Sequence, residues 1–337
     1  MDRGPGGFSL LELLIALTLS LTLIAAGFGV LHRCRGLFAG NESLAQVQDA
    51  ARHALATLVE DIEHAGFYGL APATTVQFVA GGAVVASGDG LRQPTGDLAM
   101  TPAAGVPAGV HECGINFGVD LARAVQGTDN RYSLGEGDCE PTAGAGGARS
   151  GSDTLTVRRA SSEITTPRAG RLQVHSRAAS SEPLSLFADG RGPAGPGPES
   201  EIRDLEVRSY YVANRSVGNP GLPALRARSL TESRGAIQYR DEEVMPGVED
   251  LQVEFGVMTY DDGTAILRYV TPGSPAAESG TIVAVRLWVR VRAETPDPES
   301  RDARGFDYSN SRFTPGADES RFRRLLVTRT VALRNGS

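Results

Sequence analysis

The chain predicts an α+β protein: one long N-terminal helix, with a membrane half and an amphipathic half, packed on an antiparallel β-sheet head. Three observations carry that expectation. Residues 8–31 form an apolar run, Leu44 to Ala65 repeat apolar side chains at spacings of three and four, and the C-terminal third alternates apolar with polar residues. At 337 residues the chain has room for the helix and one large head or two lobes, and its 41% hydrophobic content suffices for a core.

The membrane half comes first. From Phe8 to Leu31 the sole ionisable side chain is Glu12. At about 1.5 Å per residue this run makes a helix of about 36 Å, enough to cross a hydrocarbon core of about 30 Å. An acid inside such a helix needs a partner, so Glu12 is a functional candidate. The small residues Gly6 and Gly7 precede the apolar run, whereas the cleavage site of a secretory signal peptide follows it. Cleavage after Gly7 would therefore leave the apolar helix on the mature protein. Arg3 is offset by Asp2, while Arg33 and Arg35 follow the run, so a bare positive-inside count would put the N-terminus outside.

The amphipathic half follows. Leu44, Val47, Ala51, Leu55, Leu58, Ile62 and Ala65 make one stripe, with Gln46, Gln48, Asp49, Arg52 and Glu60 on a solvated face. Gly36 and Gly40 should weaken the junction between the halves, because glycine costs about 1 kcal/mol relative to alanine in a helix. Gly66 and Gly69 should end it. In the head, Leu251, Val253, Phe255 and Val257 alternate with Gln252, Glu254 and Gly256, and residues 283–292 alternate in the same way. Weaker strand signals lie at 154–159, 205–212, 222–230 and 325–333. Asp262-Gly263 reads as a hairpin turn, and a calcium site at Asp261 and Asp262 is disfavoured because the acids lack alternating spacing. Two stretches rich in Gly, Ala, Pro and Ser, 141–151 and 188–200, read as flexible exposed loops.

Composition limits the chemistry. The net charge of −7 gives no general nucleic-acid footprint, and every basic residue other than histidine is arginine. Without lysine there is no Walker A, Schiff-base or Ser–Lys chemistry. No G-x-S-x-G, H-E-x-x-H or C-x-x-C occurs, so neither catalysis nor a cofactor is expected. Arg321, Arg323, Arg324, Arg329 and Arg334 raise the question of DNA contact, but only Phe322 is interleaved, which favours a solvated strand face or a subunit contact. Cys113 and Cys139 are flanked by turn-forming residues, and a disulfide between them would be worth about 3.5 kcal/mol on the chain-entropy model. A metal site using His111, Cys113, Cys139 and Asp138 competes, without the spacing zinc sites favour, and two free thiols are a third reading. Cys34 falls just past the apolar run.

GFSLLELLIAL resembles the type III signal of type IV pilins, and His64-Ala65-Gly66-Phe67-Tyr68-Gly69 resembles the Gly-aromatic motif of the PilW family. Residues 247–257, 283–292 and 321–335 resemble that family's C-terminal strands, so the likeness covers about 1–70 and 240–335, with 152–160 between them. The resemblance implies a pilin plan: leader 1–7, membrane half 8–35, amphipathic half 36–66 and head 67–337. It implies cleavage between Gly7 and Phe8 by the prepilin peptidase, N-methylation of Phe8, and docking through Glu12 against the N-terminal amine of a neighbouring subunit. It further implies an inner-membrane, single-pass chain with its N-terminus cytoplasmic and its head periplasmic, overriding the bare charge count, and a place at the cell surface after assembly. The function implied is that of a non-catalytic minor pilin, helping to initiate the pilus and sitting at or near its tip. Its partners would be other minor pilins, the major pilin and, as a further candidate, a tip adhesin, with nucleic acid not expected. A J-type pseudopilin of type II secretion and an adhesive or DNA-binding tip subunit are the alternatives. The family often has a cysteine soon after the Gly-aromatic motif, where this chain has Leu70, so no family pairing carries over to Cys113 and Cys139.

Overall fold

The computed structural model describes residues 9–71, 75–94, 101–134, 139–178, 182–193, 199–297 and 301–335. Helix α1 runs unbroken over Leu10–Glu63, through both Gly36 and Gly40. Gly40 explains part of this. A Cβ there would meet the Arg323 guanidinium at 3.0 Å, so the glycine is where the head closes on the helix. The amphipathic stripe packs largely as its spacing requires: Val47, Ala51, Leu58, Ile62 and Ala65 are buried and Leu55 half-buried, with Ala54 buried beside them, while Gln46, Gln48, Asp49, Arg52 and Glu60 stay exposed. Leu58 and Ile62 each contribute about 1.5–3 kcal/mol of apolar burial. Leu44 departs from the stripe. It is exposed, and the neighbouring Ser43 is buried in its place.

The head holds two main sheets. The larger is built from β1 (Val76–Ala80), β2 (Ala83–Ser87), β3 (Val125–Thr128), β4 (Thr154–Ile164), β5 (Ala169–Arg177), β6 (Leu184–Asp189), β7 (Ser200–Ala213), β8 (Ala224–Ser233) and β9 (Ala236–Pro246). Its order is β2-β1-β6-β5-β7-β4-β3, and β8 joins β7 to β9. Long β7 is the spine, pairing with β5 over its first residues, with β8 over its last, and with β4. The pairings are antiparallel except β1 with β6, which is parallel. The smaller sheet, β11-β10-β12-β15, is wholly antiparallel. It comprises β10 (Val248–Asp261), β11 (Thr264–Val270), β12 (Thr281–Arg292) and β15 (Arg324–Ala332), with short helix α2 (Pro275–Ser279) before β12. A separate hairpin of β13 (Phe306–Tyr308) and β14 (Ser311–Phe313) completes the described strands.

Two cores result. In the first, α1 covers the inner face of the smaller sheet (Leu251, Val253, Phe255, Val257, Val285, Leu287, Val289) and reaches Leu155, Val157, Tyr210 and Val212 of the larger one. The second lies beyond the helix end, around Phe78, Val110, Phe117, Leu172 and Leu186. Ser152 and Asp153 stitch the sheets together: the Asp153 carboxylate accepts from the Asn130 and Val253 amides, and the Ser152 hydroxyl accepts from the Leu251 amide. The stretch 141–151 is a loop, as its composition suggests, but it is tethered. Arg149 N–H donates to Val212 O, Arg215 N–H donates to Ala145 O, and Thr142 bonds Asp241. Of the stretch 188–200, residues 194–198 lie outside the described residues.

Candidate functional site

The apolar half of α1 is the most distinctive surface. Leu10–Cys34 is long and apolar enough to cross a membrane, and none of it is buried within the chain. Leu10, Leu11, Leu13, Leu17, Leu21, Leu23 and Phe28 are all more than half exposed. Ser9 caps the helix: its hydroxyl accepts from Leu11 N–H, and the Glu12 carboxylate accepts from Ser9 N–H at 2.9 Å. One carboxylate oxygen thus serves this chain's own first turn, where the helix dipole favours an anion. Gly7 and Phe8 lie outside the described residues.

The far end of α1 is locked to the head. Asp61, nearly fully buried, accepts from Arg159 Nε at 3.0 Å, Arg208 Nη1 at 3.2 Å and the Tyr210 hydroxyl at 2.5 Å. Burial and the Asp61 charge push the Tyr210 hydroxyl up, so it stays a donor. Just beyond, Gly66 adopts φ +76°, and a Cβ there would press on the Asn335 carbonyl at 3.0 Å and on Ala124. The helix end, the residue ahead of β3 and the chain's last described residues therefore meet at one glycine. Phe67 packs under Arg203, Tyr68 donates its hydroxyl to Leu121 O, and Gly69 (φ +99°) leaves room for Ser176 and Glu201. The Gly-aromatic motif is thus the joint between helix and head. A groove of about 470 Å³ opens beside it, between Leu121–Gly127 and Ala277–Ile282.

The structure joins Cys113 to Cys139 in a disulfide, both buried in the second core. The His111 ring accepts from Asn116 N–H, Asp138 lies outside the described residues, and no cluster able to hold a metal occurs among the described ones. Cys34 is exposed. Asp262 (φ +44°) and Gly263 (φ +81°) form the two-residue turn between β10 and β11. The C-terminal arginines do not share one solvated face. Arg323 pairs with Asp297 and Arg334 with Glu63, Arg324 is fully buried, and Arg321 and Arg329 are exposed.

Arg324 belongs to a charged network the sequence reading missed. Glu249 accepts from Arg324 at 2.8 and 3.1 Å and from Arg290 at 3.2 Å, with Arg292 at 3.7 Å. Burial alone would raise the Glu249 carboxyl. The Arg324 hydrogen bonds and the charges of Arg324, Arg290 and Arg292 outweigh burial and hold it below the ordinary glutamate range. The hairpin β13–β14 covers this cluster: the Tyr308 hydroxyl donates to Asp250, Arg290 bonds the Tyr308 hydroxyl, and Arg290 and Arg324 lie over the Phe313 ring. The legible signal was register. Asp250 stands opposite Arg290, and Arg292 opposite Arg324, across three neighbouring strands.

Residues 209–335, from within β7 to the end of the described chain, match the family model described as type IV pilus-assembly protein W, PilW. Over these residues the chain is similar to PilW. The match takes in the whole smaller sheet and the Glu249 network, and begins ahead of the C-terminal strands that carried the resemblance. Among solved structures, a type IV-like pilin from Thermus thermophilus is similar at 15% identity, covering 55% of this chain and 80% of that one, with a TM-score of 0.26. No curated protein sequence matches the chain. The likeness to a pilus-assembly family covers these residues, and the exposed apolar helix outside them is compatible with a membrane anchor.

Proposed function

We propose that this chain is a minor pilin: a non-catalytic subunit that helps to initiate type IV pilus formation and sits at or near the tip. The observation that carries the reading is α1 itself. One continuous helix is exposed and largely apolar over Leu10–Cys34 and packs one face against the head over Val47–Ala65. Such a rod lets a subunit rest in a lipid bilayer and then pass into a bundle of like helices with the head held in fixed relation to it. Glu12 lies in the first turn, where its second oxygen can accept from a neighbouring subunit's N-terminal amine. Processing between Gly7 and Phe8, with methylation of Phe8, supplies that amine on each subunit. The N-terminus is cytoplasmic and the head periplasmic while the chain waits in the inner membrane. Other minor pilins and the major pilin are the partners.

Co-purification tests the reading. The detergent-solubilised protein should bring down other pilins of the same system, identified by mass spectrometry. Recovery of secretion-channel components in their place would favour the J-type pseudopilin, and recovery of neither would remove the assembly role.

A further inference from the structure

Most free sheet edges of the head are blocked. β2 is short and its pairing with β1 is broken by a bulge. β9 is covered by the turn Ala108–His111: Gly109 lies so close to the Ile237 carbonyl that no Cβ would fit, and Glu112 accepts from Tyr239 N–H. β15 carries Arg324 and exposed Arg329, with Arg323 and Arg334 at its ends. β3 is four residues long, with Pro272 against its Gly127. These are the usual ways to keep an edge from recruiting another strand.

β11 is guarded by one exposed arginine alone, Arg268. It pairs with β10 over seven residues without a shift in register, and no strand among the described residues pairs with its other side. Its one charge, Arg268, stands opposite buried Val257 and so belongs to the helix-side face. The outer face of β11 is uncharged and continues across the sheet as a strip of Tyr260, Met258, Leu267, Tyr269, Arg286 and Trp288. Tyr260 is 76% exposed and Leu267 45%. Gly256 seats the strip, because a Cβ there would lie 3.2 Å from Tyr269 and 3.3 Å from Leu267. The Tyr269 ring thereby lies 3.6 Å from the Arg286 guanidinium, which Glu254 neutralises at 3.3 Å. Aromatic, Met and Arg side chains held in place are the composition of interface centres. The hairpin tip projects further, since the pairing of β10 with β12 stops at Met258 opposite Thr281.

We propose that β11 and this strip are the head's docking surface for a sheet edge of another pilin head. The assignment rests on the assembly reading above. The partner supplies an extended strand that pairs with the free N–H and C=O groups of β11. Charge sets its chemistry: apolar and uncharged where it faces Leu267 and Tyr269, with a basic side chain near exposed Asp262 at the turn.

The test uses the full chain in detergent and each other pilin of the same system, purified in the same way, with affinity read by microscale thermophoresis. Leu267→Lys puts a charge on the edge, Tyr260→Ser removes the exposed ring and Asp262→Asn neutralises the tip with a residue that tolerates its positive φ, and all three positions are exposed enough to leave folding intact. The first two should each weaken binding at least about tenfold, and Asp262→Asn should weaken it with a reduced salt dependence. Val84→Lys on the bulged edge β2 should change affinity less than about twofold. Binding that survives Leu267→Lys and Tyr260→Ser overturns this surface and leaves the assembly reading standing. If the wild-type chain binds no other pilin, both are overturned.

Discussion

Replacing Asp61 by Asn should loosen the joint between helix and head. The carboxylate is nearly fully buried and takes three donors at once, from Arg159, Arg208 and Tyr210. Asparagine keeps the shape but loses the charge and one acceptor, and turns an amide N–H₂ toward cations. Breaking a buried ion pair by removing one partner costs about 3–5 kcal/mol. The low end applies, because Glu206 still holds Arg159 at 2.7 Å and reaches Arg208 at 3.7 Å, and Arg208 is partly solvated. A loss of about 3 kcal/mol corresponds to a fall of about 6–12 °C in Tm for a head of this size. The assay is thermal unfolding of the detergent-solubilised chain, followed by near-ultraviolet circular dichroism. Tyr210→Phe should cost less than Asp61→Asn, and the two together less than their sum, because they share one hydrogen bond. A Tm for Asp61→Asn within about 2 °C of wild type would refute the reasoning and leave the apolar stripe as the main attachment.

Further outcomes follow from other parts of the chain. Gly7→Arg should leave an uncleaved, membrane-bound precursor, since the bulky side chain blocks approach to the peptidase; intact mass showing normal maturation would contradict this. Non-reducing peptide mapping should find Cys113 joined to Cys139 and Cys34 unpaired, and replacing both head cysteines by serine should cost about 3.5 kcal/mol of stability. Glu249 is held below its ordinary value, so its contribution is present above that value and lost as pH falls through the lower, folded-state one. Acid unfolding of Glu249→Gln should therefore be flatter below about pH 4.5 than that of wild type, at a lower stability near pH 7. An unchanged acid limb would mean that the arginines do not hold that carboxylate.

Legibility differed between the two sheets for a physical reason. In the smaller sheet the apolar period of two is long and clean, so β10 and β12 could be read directly, and the Asp262–Gly263 turn followed from two residues suited to positive φ. The same alternation misled about the opposite face. Gln252 falls on the polar side of the pattern, yet it is buried, donating to Gly151 O, and the short hairpin β13–β14 caps Asp250 beside it. Six strand residues around a turn give no periodic signal that a sequence window can detect. In the larger sheet β5 and β6 carry buried polar residues such as Gln173, His175 and Ser185 among the apolar ones, which blurs the period. The helix was legible through both halves. Its continuity across Gly36 and Gly40 was not, since local propensity argues for a weak junction and the packing of Arg323 on Gly40 is a contact from far along the chain.

The central claim is that the exposed apolar helix carries the chain into a filament, with Glu12 accepting a neighbour's amine. Counting surface pili by electron microscopy on cells whose only copy is Glu12→Ala tests it most directly, with membrane fractionation and intact mass on the same cells. The account predicts a protein that is inserted and cleaved normally while pili are lost or greatly reduced. Wild-type pilus numbers, with the variant detected in sheared pili, would contradict it.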